Sequence, residues 1–247
     1  MSSAYDAPTG GRLTLETYED PAELYWARGE EVNDLRPVFT GDVFLNVPIP
    51  GIQEDGMAMT IAHPCSMRRT AGKFRQRILV APVCPSEQTG LGPAQWTSGY
   101  FNWSPLPELQ CDGALHLARI DDLGQATPAD LAGTQRLACL SGRGISLLHQ
   151  RLIWYLTRLA VETSQLFKSF EHVFDEVELL EEWKDVLCGA GIDEERATSL
   201  FDDFICGDKG NKRTLQKDLR EAQRRPSVRS ACRSEAARIA KEWRSAE

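Results

Sequence analysis

No apolar run in this sequence approaches the roughly 20 residues needed to cross a bilayer, so no membrane span is expected. The opening stretch MSSAYDAPTGGRLTLETYEDP has no basic region followed by an apolar one, so no export signal is expected. There is no C-x-x-C pair. The seven cysteines, at 65, 84, 111, 139, 188, 206 and 232, are odd in number and widely spaced, which predicts reduced thiols in a cytoplasmic protein and no structural zinc. The phosphate-cradling G-x-x-x-x-G-K-[ST], the dinucleotide G-x-G-x-x-G and the G-x-S-x-G elbow are all missing, which disfavours nucleotide-dependent and α/β-hydrolase chemistry. No internal repeat is visible, and no cofactor is expected.

What is present is a chain of 247 residues, 42% hydrophobic, enough for one large core or two modest ones. Its net charge of −8 hides an asymmetry. Residues 207–247 hold twelve Lys/Arg against six Asp/Glu, a net of +6, and residues 1–206 hold 16 against 30, a net of −14. An acidic body argues against a general nucleic-acid binder, because attraction to phosphate dominates sequence-independent binding. The basic tail argues for a local one, with Lys212, Arg213, Arg224 and Arg225 among the candidate contacts. The plainer reading of such a run is a solvated helix.

Residues 1–35 are polar, acidic and rich in turn formers, and read as an extended or partly ordered arm with little core of its own. From Val38 the pattern changes. VFTGDVFLNVPIPG alternates and then breaks at Pro48 and Pro50, as a strand ended by a loop does. MAMTIA and RILVAPV are near-continuous apolar runs, hence buried strands, and GALHLARIDDL reads as another. These runs predict a small barrel of five to seven strands in 36–140. After Gly142 the period switches. Ile145, Leu148, Leu152, Tyr155, Leu156 and Leu159 recur at helical spacing, with Ser141 and Gly142 as a start signal. Apolar residues continue to Leu187, predicting one long helix or two joined near 162–169. CGAG at 188–191 stops it, a helix over 193–206 and another over 212–225 follow, and Pro226 opens a last one to about Arg244. The expected fold is α+β: an N-terminal small β-barrel in 36–140, then an all-helical domain in 141–247.

The densest chemistry lies in GMAMTIAHPCSMRRTAGKFRQRILVAPVCPS, residues 56–86. Together with GDVFLNVPIPG before it and GALHLARIDDLGQATPADLAGTQRLACLSGRG after it, this run resembles the MazF/PemK toxin superfamily over about residues 40–160. The resemblance lies in the order of its parts: a Gly-Asp-hydrophobic strand, an apolar strand, a basic loop and a second apolar strand carrying a proline. It implies an SH3-like barrel, usually a homodimer, that cleaves single-stranded RNA without a metal and is held in check by an antitoxin. The setting it implies is a prokaryotic toxin–antitoxin or phage-defence system, with an antitoxin or defence-system protein as partner. The usual Arg-Pro before the second strand is replaced here by Glu54-Asp55-Gly56. The hydroxyl expected after the strand-end proline falls near Cys84, with Ser86 the nearest. The resemblance therefore implies an interaction module with a degraded catalytic site, binding RNA, another nucleic acid or a protein. The alternatives are an endoribonuclease using relocated arginines, and a scaffold acting through its helices.

Several groups carry candidate roles, each beside a plainer one. Arg68, Arg69, Lys73, Arg75 and Arg77 put five cations in ten residues, next to a loop holding Trp96, Tyr100, Phe101 and Trp103. They suit a phosphate grip with base stacking; a solvated hairpin tip is the plainer reading. The catalytic candidates are Arg68, Arg69, Ser86 and Cys65. His63-Pro64-Cys65 would make a nucleophile pair only with the imidazole about 3 Å from sulfur, and a buried thiol beside a surface or capping histidine is favoured. A metal on His63 and Cys65 would need two more ligands, for which His116, Cys84 and Cys111 are candidates that no ligand spacing supports. Asp175, Glu178 and Glu182 read as a solvated acidic face.

Overall fold

The computed structural model describes residues 14–68, 74–87, 102–110, 113–207 and 214–246. The chain is α+β, with a curled antiparallel half-barrel sheet in its N-terminal part and a helical region after it. Eight strands form the sheet: β1 (Tyr25–Arg28), β2 (Val43–Phe44), β3 (Met57–Thr60), β4 (Ile78–Pro85), β5 (Trp103–Pro107), β6 (Leu115–Arg119), β7 (Gly124–Ala126) and β8 (Arg136–Leu140). Their order is β1-β8-β2-β3-β4-β6-β5, with β7 also pairing with β4. The half-barrel does not close among the described residues, where a small barrel was expected.

Strand β4 organises the sheet. Along one edge it pairs with β3, from Met57↔Val83 to Thr60↔Val80. Along the other it pairs first with β7, from Ile78↔Ala126, and then with β6, from Val83↔Ala118. Side chains alternate across a strand, so Ile78 and Val80 enter one apolar cluster with Ala58, Phe44 and Leu131. Ala81 and Val83 enter another with Met59, Ala118 and Ala138. Burial on both faces is why this strand reads as a continuous apolar run.

The segment expected as an arm supplies, in its described part, the strand β1 and the buried side chains Leu15, Tyr18 and Leu24. β1 pairs with β8 at Tyr25↔Leu140. Two short helices, α1 (Pro64–Met67) and α2 (Pro128–Ala132), interrupt the strands. Both begin with a proline at the first turn.

Helix α3 (Gly142–Thr157) begins where the sequence places it, with Ser141 Oγ accepting the Gly144 N–H at 3.1 Å. Gly144 allows the helix to approach the 3-10 turn Pro21–Leu24 just before β1, since a Cβ there would lie 2.2 Å from the Leu24 carbonyl oxygen. α3 ends at Arg158 in the left-handed region (φ 61°), and α4 (Thr163–Cys188) follows, so the expected long stretch is two helices. At 26 residues α4 is about 39 Å long. Its first half packs Phe170, Phe174 and Val177 against the sheet with Ile145 and Leu148 of α3. Its second half joins Leu180, Trp183 and Leu187 to α5 (Glu194–Cys206) and α7 (Arg225–Ala246) in a separate helical core. The helix expected over 212–225 is shorter among the described residues: α6 (Leu215–Asp218), then a 3-10 turn at Ala222–Arg224.

Candidate functional site

The opening stretch is built around β3 and β4. As β3 ends, His63 caps α1: its Nδ1 accepts the Cys65 backbone N–H at 3.2 Å, and burial lowers its pKa. The capping histidine is as expected. The Cys65 thiol is not, for it is exposed, because the first turn of so short a helix leaves its side chain outside the sheet. With Nδ1 engaged by the backbone, the ring serves α1 rather than a nucleophile.

Arg68 closes the turn after α1. Its Nη2 donates to the Val38 carbonyl at 3.3 Å, and its guanidinium lies 5.3 Å over the Phe74 ring. The Arg75 N–H returns to the Met67 carbonyl at 2.7 Å, and Arg77 donates to Gln125 at 3.1 Å on the surface. Arg75 and Arg77 are exposed, whereas Arg68 is half-buried. The described loop cations therefore diverge. Arg69, Lys73, Trp96, Tyr100, Phe101 and Cys111 lie outside the described residues.

Ser86 follows the far end of β4, its N–H bonded to the Leu115 carbonyl at 2.8 Å. The eight extended residues of β4, Ile78–Pro85, separate it from the Arg68 end by roughly 20–25 Å. Cys84 and His116 share that far end, on β4 and β6. His63 and Cys65 therefore meet neither of them. Burial raises the Cys84 pKa, and His116 is buried with its Nδ1 unpartnered. Among the described residues no cluster of three or more His, Cys, Asp or Glu has metal-holding geometry. Trp103 is half-buried on β5.

Three arginines of the basic tail are turned inward onto α4. Arg225 pairs with Glu171 at 2.7 Å and Asp175 at 3.3 Å, and donates to the Leu219 carbonyl at 2.9 Å. Arg229 binds Asp175 and Glu178, and Arg233 binds Glu182 at 2.8 Å. The partners ascend together, so α4 and α7 run parallel with one charged stripe against the other. Hydrogen bonds from Arg233 hold the Glu182 carboxyl below its usual range. Arg224 is paired with Asp218 and Glu221, while Lys212 and Arg213 are outside the described residues. The acidic face expected to be solvated is thus, in large part, an ion-paired helix contact. The signal in the sequence was Arg225, Arg229 and Arg233 at four-residue spacing, matched by Glu171, Asp175, Glu178 and Glu182.

A cleft of about 640 Å³ lies between the sheet and helices α4 and α5. Four cations line it, Arg36, Arg68, Arg136 and Lys184, together with the carboxylates Asp34, Glu194 and Asp202. Arg36 is 2% exposed, ion-paired with Glu181, and leaves Nε and Nη2 without hydrogen bonds. Arg136 lies 3.5 Å from Asp42 and donates to the Arg36 carbonyl at 2.8 Å. Burial raises the pKa of Asp42 despite both arginines. Sequence reasoning missed Arg36, Arg136 and Asp42. A single arginine inside the apolar run RLACL was the available sign, since a buried guanidinium needs a carboxylate nearby.

No protein-family model matches the chain, and no curated protein matches it.

Proposed function

We propose that the chain is an interaction module: a MazF/PemK-like, SH3-like barrel with a degraded catalytic site, joined to a helical region. It takes a nucleic-acid or protein partner in a prokaryotic toxin–antitoxin or phage-defence setting. One observation carries the non-catalytic part of this reading. Two of the candidate catalytic groups sit apart, Arg68 toward one end of β4 and Ser86 at the other; Cys65 stays on the Arg68 side with its thiol exposed, and His63 beside it is engaged in capping α1. General acid–base or nucleophilic chemistry needs its partners within about 3 Å. The pairing of Arg225, Arg229 and Arg233 with α4 also moves weight from nucleic acid toward protein, because cations already neutralised release few counterions from a phosphate backbone. Exposed Arg75 and Arg77 keep the nucleic-acid arm of the reading.

The test is fluorescence anisotropy of a labelled single-stranded RNA titrated with the full chain at several salt concentrations, beside Arg75→Ala/Arg77→Ala and Arg229→Ala. A nucleic-acid module binds with a salt slope that the loop pair reduces and Arg229→Ala leaves unchanged. No binding in low salt moves the reading to the protein partner. A slope set by the α7 arginines overturns the inward-tail argument.

A further inference from the structure

Charges in the cleft between the sheet and the helices divide into two kinds. Most are already paired: Arg36 with Glu181, Arg136 with Asp42, and Lys184 with Glu194 at 2.6 Å. Arg68, Asp202 and Asp34 have no ion pair within 4 Å among the described residues, and of these Arg68 and Asp202 face the cleft from its two sides. Arg68 is held by the Val38 carbonyl and the Phe74 ring, and no carboxylate among the described residues lies within 4 Å of its guanidinium nitrogens. Asp202, on α5, lines the same cleft from the helical side. The two feel each other without touching. Burial lowers the Arg68 pKa, with Asp202 the largest opposing charge, and burial raises the Asp202 pKa, with Arg68 opposing. Phe44, Phe74, Leu131 and Leu180 give the same cleft apolar walls.

A simple anion entering this space would meet Arg68 but also Asp202 and Asp34; a simple cation would meet both carboxylates but also Arg68. Only a ligand of both signs matches both ends. We propose that this cleft is a binding site for a small amphoteric ligand, its carboxylate on Arg68 and its ammonium group on Asp202, the zwitterion of an ω-amino acid being the simplest form. Apolar walls between the two charges suit a methylene chain, and a carboxylate accepts two parallel bonds from a guanidinium fork. The inference goes beyond the interaction reading and stands without it.

The experiment titrates the full chain with glycine, 4-aminobutyrate and 6-aminohexanoate, with acetate and butylammonium as the separate halves, read by chemical-shift perturbation of amide signals. One of the longer zwitterions saturates with a Kd of about 1 mM or below, and each half binds at least about tenfold more weakly. Arg68→Gln and Asp202→Asn each weaken that binding about tenfold. Asp202→Asn removes a charge that burial already disfavours, so it keeps the fold, and it carries the test alone if Arg68→Gln does not fold. Saturation by acetate or by butylammonium as tight as by the zwitterion overturns the proposal, as does an absence of saturation by all three zwitterions at about 50 mM. Unchanged affinity in Asp202→Asn overturns it too.

Discussion

Glu16 offers a sharp perturbation, because it caps a helix through Thr163, 147 residues away in the chain. The N-cap residue of α4, Glu162, makes no side-chain cap bond. Glu16 takes its place. Its Oε1 accepts the Thr163 N–H at 2.8 Å, its Oε2 accepts the Thr163 hydroxyl, and Arg143 Nη1 pairs with Oε2 at 3.0 Å. Gln150 adds a bond at each end, accepting the Glu16 N–H at 2.7 Å and donating to Oε1 at 3.4 Å. Burial raises the Glu16 pKa, but the hydrogen bonds from Thr163 and Arg143 outweigh it, so the carboxyl titrates below its usual range. A lost N-cap costs about 1 kcal/mol, and an ion pair one-third exposed at each side chain adds about 0.5 kcal/mol after screening. Glu16→Ala should therefore cost about 1.5 kcal/mol, or roughly 3–6 °C in Tm for a chain of this size. Glu16→Gln, keeping one acceptor, should cost about half as much. A depressed carboxyl pKa stabilises the folded state fully above the unfolded value, and that share is lost as the pH falls through the folded one. The wild-type advantage over Glu16→Ala should accordingly be full at pH 7 and shrink below about pH 4.5. Urea unfolding gives the stability, and hydrogen exchange at residues 163–166 gives the site. Equal stability and unchanged exchange would refute the cap.

Arg229→Ala removes the guanidinium bound to Asp175 and Glu178, and should cost about 1–2 kcal/mol in urea unfolding at low salt, with the loss shrinking in 1 M NaCl. A salt-independent loss would show that packing, not charge, joins α4 to α7. His149 is packed edge-on to Phe170 and its pKa is pushed down to about 4 by burial. A base whose folded pKa is depressed binds fewer protons than the unfolded chain between pH 6.5 and 4, so stability should fall across that window, by about 2 kcal/mol for this residue after discounting for partial exposure. His149→Phe should flatten that slope; an unchanged slope would assign it to other groups. Gly144→Ala drives a Cβ to 2.2 Å from the Leu24 carbonyl and should cost about 2 kcal/mol or more in thermal melts, whereas a neutral change would mean α3 can shift off the Pro21–Leu24 turn.

The parts of the fold legible in the sequence are those written in period and punctuation. The apolar runs of β3 and β4, the Ser141 start of α3, the glycine stop after Cys188 and the Pro226 start of α7 are local signals, and the chain obeys them. β1 was missed because YWAR carries no alternation of its own and becomes a strand through its partner β8. The pairing of α4 with α7 was missed because charge on one helix says nothing of what faces it. The candidate site fared less well for a similar reason. His63 as a cap is a local relation and was legible. Convergence is not local: Arg68 and Ser86 are close in the order of motifs but stand at opposite ends of an eight-residue strand. Arg36 and Asp42, which meet around the cleft with Arg136 from 100 residues on, leave no spacing to read.

The most direct test of the central claim, that Arg68 and Ser86 are too far apart to act together, is single-turnover incubation of a labelled single-stranded RNA with an excess of the full chain. Arg68→Ala and Ser86→Ala variants are run beside it. The account predicts RNA left intact by all three proteins, whatever binding they show. Site-specific cleavage by the wild-type chain that both substitutions abolish would contradict it, because that result requires the two side chains to share one site.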